Sequence, residues 1–153
     1  IRDGLAHAFF PGRFEIMHFK KKLFVLDGAH NDEKMRSFLK AFRGYYPSQN
    51  VIFILGFKKR KDIQSMMAHF KHEKGMWILT QFHKTADYSR SVSMTLEELR
   101  EAMPDTGRIV YQPTVPEALS YALQQKEEIV VVTGSLYLVG EVRSLLSPKE
   151  LRV

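Results

Sequence analysis

Two short stretches of this 153-residue chain collect residue types that do chemistry. The first is Asp27-Gly28-Ala29-His30-Asn31, which follows the apolar run Leu23-Phe24-Val25-Leu26. A carboxylate accepts from ribose hydroxyls or from the water shell of a cation, and an imidazole can donate to a carboxylate or phosphate. Glycine and alanine leave the backbone open to close approach. The second is Thr133-Gly134-Ser135-Leu136-Tyr137, where Ser135 falls at a helix N-cap. Free amides at such an end bind anions such as a carboxylate, and Tyr137 lies in the first turn, within reach of the same ligand. Plainer readings stand beside these: Asp27 and Asn31 as caps of the next helix, Ser135 as a simple cap, Tyr137 as packing. Arg13, in Pro11-Gly12-Arg13-Phe14-Glu15, is a third candidate, although an arginine after a turn is usually solvated. Lys61-Asp62 opens a helix, and for Asp62 a surface pair is the readier reading.

Other chemistries leave no trace. The chain has no G-x-x-x-x-G-K-[ST], no G-x-G-x-x-G and no H-E-x-x-H. If it handles ATP, it does not hold the triphosphate with a P-loop of its own. Its six histidines are scattered and it has no cysteine, which removes disulfides and thiolate chemistry and fits a cytosolic origin. The net charge of +6 admits nucleic acid, phosphates or polycarboxylates as partners. Two basic runs carry part of it, Lys20-Lys21-Lys22 and Lys58-Lys59-Arg60-Lys61. The first reads as a solvated hairpin turn, and no aromatic stacking motif accompanies either. No apolar run approaches the length of a membrane helix, and no signal-peptide core is visible. The chain opens on Ile1 rather than Met, so a piece of a longer protein is expected.

The elements that must carry these loops can be read in order. Phe14–Phe19 alternates as a half-buried strand, Lys20–Lys22 turn the chain, and Leu23–Asp27 runs back, giving a hairpin. Met35, Phe38, Leu39 and Phe42 mark one face of a helix starting after Asn31 and ended by Gly44 and Pro47. Val51–Leu55 is a continuous apolar strand, and Ile63, Met66, Met67 and Phe70 again have helical spacing. Met76–Thr80 is the next strand. Leu96, Leu99 and Met103 mark a helix capped by Thr95, with Glu98 three residues on in a capping-box pattern. Ile109–Tyr111, a helix with Val115, Ala118, Leu119 and Ala122 on one face, the strand Ile129–Val132 and a helix to about Leu146 complete the chain. Unbroken apolar strands are buried on both faces. The fold expected is α/β: a three-layer, Rossmann-like, mostly parallel sheet of about six strands with an antiparallel N-terminal hairpin strand. The one long stretch without pattern is 81–94. Ligands in such folds sit beyond the carboxyl ends of the strands, where both chemical stretches lie.

Taken together, Pro11-Gly12-Arg13-Phe14-Glu15, Asp27-Gly28-Ala29-His30-Asn31, Lys61-Asp62 and the run Thr133 to Arg143 resemble the C-terminal domain of folylpolyglutamate synthase/dihydrofolate synthase, in the Mur ligase superfamily. The Gly134-Ser135-Leu136-Tyr137-Leu138-Val139-Gly140 run is of the folate branch; the Asp27-to-Asn31 pattern is shared with the peptidoglycan ligases. The resemblance implies residues 1–12 as an interdomain linker and 13–153 as the glutamate-binding domain. It implies an ATP-dependent amide ligase working through an acyl phosphate, with L-glutamate and a folate or pteroate as substrates. The P-loop and most of the Mg2+ site would belong to an N-terminal ATPase domain in cis, absent from this chain, so the fragment alone should be inactive. By the same resemblance His30, Ser135 and Tyr137 place the glutamate, Arg13, Asp27 and Asn31 serve the nucleotide, and this domain supplies no metal ligand and no covalent nucleophile. A cytoplasmic monomer without nucleic-acid or membrane partners is expected. One departure is Asp32, where the family usually has proline; an acidic residue is compatible with the helix dipole there. A peptidoglycan-type ligase domain and a non-catalytic, basic, polyanion-binding module are the competing readings.

Overall fold

A half-buried strand alternates and a fully buried one does not, and this difference sets the order of the sheet. In the computed structural model, which describes residues 11–83, 92–103 and 107–147, β1 (Glu15–Phe19) and β2 (Lys22–Leu26) form the expected hairpin. They are followed by α1 (Asp32–Tyr45), β3 (Val51–Leu55), α2 (Ile63–Ala68), β4 (Gly75–Thr80) and α3 (Leu96–Ala102). The chain then forms β5 (Ile109–Gln112), α4 (Val115–Leu123), β6 (Ile129–Thr133) and α5 (Leu136–Leu146). The strands lie in the order β1-β2-β6-β3-β4-β5, with only the β1–β2 pair antiparallel. The alternating strand is at the edge; the unbroken β3 and β6 are central and buried along their whole length.

Each central strand feeds two cores. Val51, Phe53 and Leu55 face α1, α2 and α3, together with Phe38, Phe42, Met66 and Leu99. Ile52 and Ile54 face α4 and α5, together with Ala118, Leu119, Leu138 and Val142. Phe53 meets Phe70 edge-on at 5.1 Å and stacks on Trp77 at 6.2 Å. Burying a side chain of this size stabilises the fold by about 1.5–3 kcal/mol.

Three local expectations are corrected. Lys20 and Lys21 do make the turn, both at positive φ, but Lys22 is a strand residue and buried. Its ammonium donates to the carbonyls of Gln125 (2.7 Å) and Glu127 (2.5 Å), just past the end of α4. Gly44 does not end α1, which runs on to Tyr45, with the Tyr46 amide closing onto the Phe42 carbonyl. Phe70 lies beyond α2, in the turn that follows it, although it packs where the spacing put it. The Thr95–Glu98 capping box is formed as expected. Residues 1–10 of the expected linker and 84–91 of the patternless stretch lie outside the described residues. No helix is long and apolar enough to cross a membrane among the described residues.

Candidate functional site

The carboxyl ends of β2 and β6 are neighbours, because Leu26 pairs with Val132. Beyond them the two loops stay joined. The Asp27 amide donates to the Val132 carbonyl (3.0 Å), and the Gly134 amide donates to the Ala29 carbonyl (3.1 Å). A third segment is added by the Gly28 amide, which donates to the Gly12 carbonyl at 2.7 Å. That bond brings the Gly12-Arg13 turn to the same edge. A Cβ on Gly28 would lie 2.2 Å from Leu136 Cδ2; the glycine is what lets the first residue of α5 lie over the loop.

Asp27 locks this junction. Its Oδ2 accepts from the Phe14 amide and its Oδ1 from the Ala29 amide, each at 2.9 Å. Burial raises its pKa above the ordinary aspartate value; the Phe14 and Ala29 amides, then Arg13 and Lys34, oppose that shift. With the folded pKa raised, the native state holds a proton over a window where the unfolded chain has released it, so stability falls as pH rises through that window. Above the window the loss is constant. Asp27→Asn cannot titrate. The melting temperature of wild type minus that of the variant should therefore be greatest at acid pH and shrink as pH rises from the usual aspartate value. A difference that grew with pH would mean that the native fold favours the carboxylate.

His30 is half-buried, and its Nδ1 lies 2.9 Å from the Gly28 carbonyl oxygen. A carbonyl only accepts, so Nδ1 carries the proton. Asn31 is the N-cap of α1, its side chain accepting from the Lys34 amide. Ser135 caps α5 and is fully buried, its hydroxyl accepting from the Tyr137 amide. Tyr137 stacks on Phe82 (6.2 Å, 6°), and the Lys58 ammonium lies 4.5 Å from its ring centroid. At Lys61-Asp62, Asp62 caps α2 through Ser65, which holds its carboxyl below the usual range.

Arg13, Asp27 and His30 line one groove of about 490 Å³, with Glu33 and Lys34 of α1 and with Leu136. Ser135 is fully buried and Tyr137 packs against the α4–α5 core, so neither lines the groove. Glu33, Lys34 and Leu136 were not candidates from sequence. Two charged residues in the first turn of a helix carry no signal of their own in the sequence, and Leu136 gains its place only through Gly28. Lys58 read only as part of a basic run. A larger cavity of about 640 Å³ lies over β4 and β5, lined mainly by apolar side chains such as Met67, Phe70, Trp77 and Met103. Of these two the smaller groove is the better candidate, since it brings acid, base and imidazole together at the strand ends where ligands of such sheets bind.

Residues 14–146 match the family model for the C-terminal domain of dihydrofolate synthetase. The chain is 28% identical over 152 residues to folylpolyglutamate synthase of Lacticaseibacillus casei, covering 95% of this chain and 32% of that protein. The structure of Escherichia coli FolC in complex with DHPP and ADP is similar with a TM-score of 0.77 and 25% identity, over 94% of this chain and 33% of the other. The bifunctional folylpolyglutamate synthase/dihydrofolate synthase of Yersinia pestis, complexed with AMPPNP and Mn ion, shares the fold (TM-score 0.78, 24% identity, 95% and 33% covered). The chain thus spans about a third of the length of the relatives it matches. With the family model covering nearly all of the described fold, the chain belongs to the family of dihydrofolate synthetase C-terminal domains.

Proposed function

We propose that this chain is the C-terminal domain of an ATP-dependent folate–glutamate ligase and forms one wall of its reaction cleft. The observation that carries this reading is the groove itself: one edge of a parallel sheet presents Arg13, Lys34, Asp27 and His30 around a single cavity. The two cations suit the phosphate oxygens of ATP and of an acyl phosphate. The carboxylates Asp27 and Glu33 suit the ammonium of an amino acid. Such a site works by orientation and charge stabilisation and needs no covalent nucleophile. ATP would activate the folate or pteroate carboxylate as an acyl phosphate, and the glutamate nitrogen would displace phosphate. In this reading Mg2+ neutralises the phosphate charge and is held mainly by a larger N-terminal domain in cis. Ser135 and Tyr137, outside the groove, would act on glutamate only through the α5 N-terminus or from its far side.

The match to the family model favours the folate branch over a peptidoglycan ligase. The structure also weakens the polyanion-binding reading. Lys22 is spent on backbone carbonyls, Lys59 pairs with Glu98 at 3.2 Å, and Lys58 lies over Tyr137. A coupled assay of ADP release by the complete ligase tests the proposal. ADP should appear only with both a folate-type carboxylate and L-glutamate, and this chain alone should release none. Release indifferent to glutamate would remove the assignment.

A further inference from the structure

The geometry points to His30 as the group that takes a proton from the ammonium of the incoming amino acid. The inference rests on the ligase reading and deepens it. An amino acid at neutral pH carries its nitrogen as an ammonium with no lone pair, so a proton must leave before the nitrogen can attack an acyl phosphate. The imidazole is set up to accept one. Nδ1 holds its proton against the Gly28 carbonyl at 2.9 Å, so in the neutral ring Nε2 carries a lone pair and no hydrogen. That tautomer can accept from an ammonium; it can donate from Nε2 to a carboxylate only after the ring itself becomes cationic.

The surroundings agree. Among the residues lining the groove, the charged groups are Arg13 from the turn, Asp27 from the loop, and Glu33 and Lys34 from α1; α5 contributes the apolar Leu136. Asp27 has an Oδ atom on each of two backbone amides, which ties it to the junction and leaves Nε2 as the freer acceptor. The ammonium gives one proton to Nε2, and the freed nitrogen pair forms the C–N bond at the acyl carbon. The C–O bond to phosphate then breaks, with its electron pair leaving on phosphate. Phosphate takes a second proton from the nitrogen, and the imidazolium returns its proton to solvent.

His30→Asn separates this role from simple binding, because the shorter amide keeps a donor for the Gly28 carbonyl and removes the acceptor at Nε2. In the complete ligase, kcat with glutamate at neutral pH should fall about 10²–10⁴-fold and recover as pH rises and the amine loses its proton unaided. Hydroxylamine, whose nitrogen is already unprotonated at neutral pH, should intercept the acyl phosphate at the wild-type rate in the same variant. A parallel loss with hydroxylamine, or a raised KM for glutamate at unchanged kcat, would overturn the proposal. So would nitrogen-15 shifts of the His30 ring in this chain showing the proton on Nε2 of the neutral form. Failure of the wild-type enzyme to make either hydroxamate or amide would instead count against the ligase reading.

Discussion

Gly134→Ala should lower the melting temperature of this domain by about 10 °C, while Gly140→Ala, six residues on, should raise it slightly. Gly134 stands at φ +107, and a Cβ there would lie 2.5 Å from the Gly56 carbonyl oxygen and 3.0 Å from Phe57 Cε1. The nearest obstacle is backbone at the carboxyl end of β3, so no rotamer change relieves it. Holding a non-glycine residue in such a conformation costs about 1–3 kcal/mol, and overpacking adds about 1–3 kcal/mol. For a domain of this size each kcal/mol moves the melting temperature by about 2–4 °C. Gly140 lies inside α5, and a methyl group added there would meet nothing within 4 Å. Alanine there gains helix propensity, about 1 kcal/mol in a helix interior. Calorimetry of the two variants decides the matter. Equal effects, or a shift under about 2 °C for Gly134→Ala, would mean that the β6 and β3 loops are not held together as described. The same substitution should also disturb the site, because the Gly134 amide is the one bonded to Ala29.

The elements were legible because their signals are local. Asn31, Thr95 and Ser135 each cap the helix that follows, as their side chains and positions indicate. The order of the strands was not legible. β2, β3 and β6 are all short apolar runs, and nothing in such a run says which neighbour it takes, so the insertion of β6 between β2 and β3 belongs to tertiary packing. That insertion is nevertheless what places the Asp27 and Ser135 loops side by side. Lys22 departs from expectation for a related reason. Its acceptors are more than a hundred residues away, and without them a third consecutive lysine looks like solvent-facing turn.

For the site, residue type and position at a strand end were enough to single out Asp27 and His30. They were not enough to separate the groove from its underside. Ser135 and His30 looked equivalent as polar residues at strand ends on one edge of the sheet, yet the hydroxyl is fully buried, accepting from its own helix turn, while the imidazole lines a cavity. The direction of a side chain at a helix cap depends on the dihedral angles of the turn before it, and Gly134 sets those here. The tautomer of His30 was likewise hidden, because it is decided by a backbone carbonyl two residues earlier and not by any side chain the sequence displays.

Arg143→Met should loosen the groove from behind, although Arg143 does not line it. Its Nε donates to Glu15 Oε1 at 2.8 Å, and Glu15 Oε2 accepts from the Gly12 amide at 2.9 Å. The Gly12 carbonyl in turn accepts from Gly28, so a short chain of bonds runs from α5 through β1 to the Arg13 turn and the Asp27 loop. The Glu15 side chain is 3% exposed. Removing one partner of a fully buried ion pair costs about 3–5 kcal/mol because the other charge is stranded. Here the Arg143 side chain is 39% exposed, and screening at its solvent side reduces the expected cost to about 1–3 kcal/mol. Urea unfolding should show that loss, with part of it restored by adding Glu15→Gln, since a neutral amide needs no counter-charge; the double-mutant cycle isolates the pair. Amide exchange at Gly12 and Gly28 should accelerate more than exchange at Val131 in the central strand, because the defect opens the turn before it opens the core. Uniform acceleration at all three would make Arg143 a general stabiliser with no particular hold on the site, and no change in stability would mean that the ion pair contributes nothing to the fold.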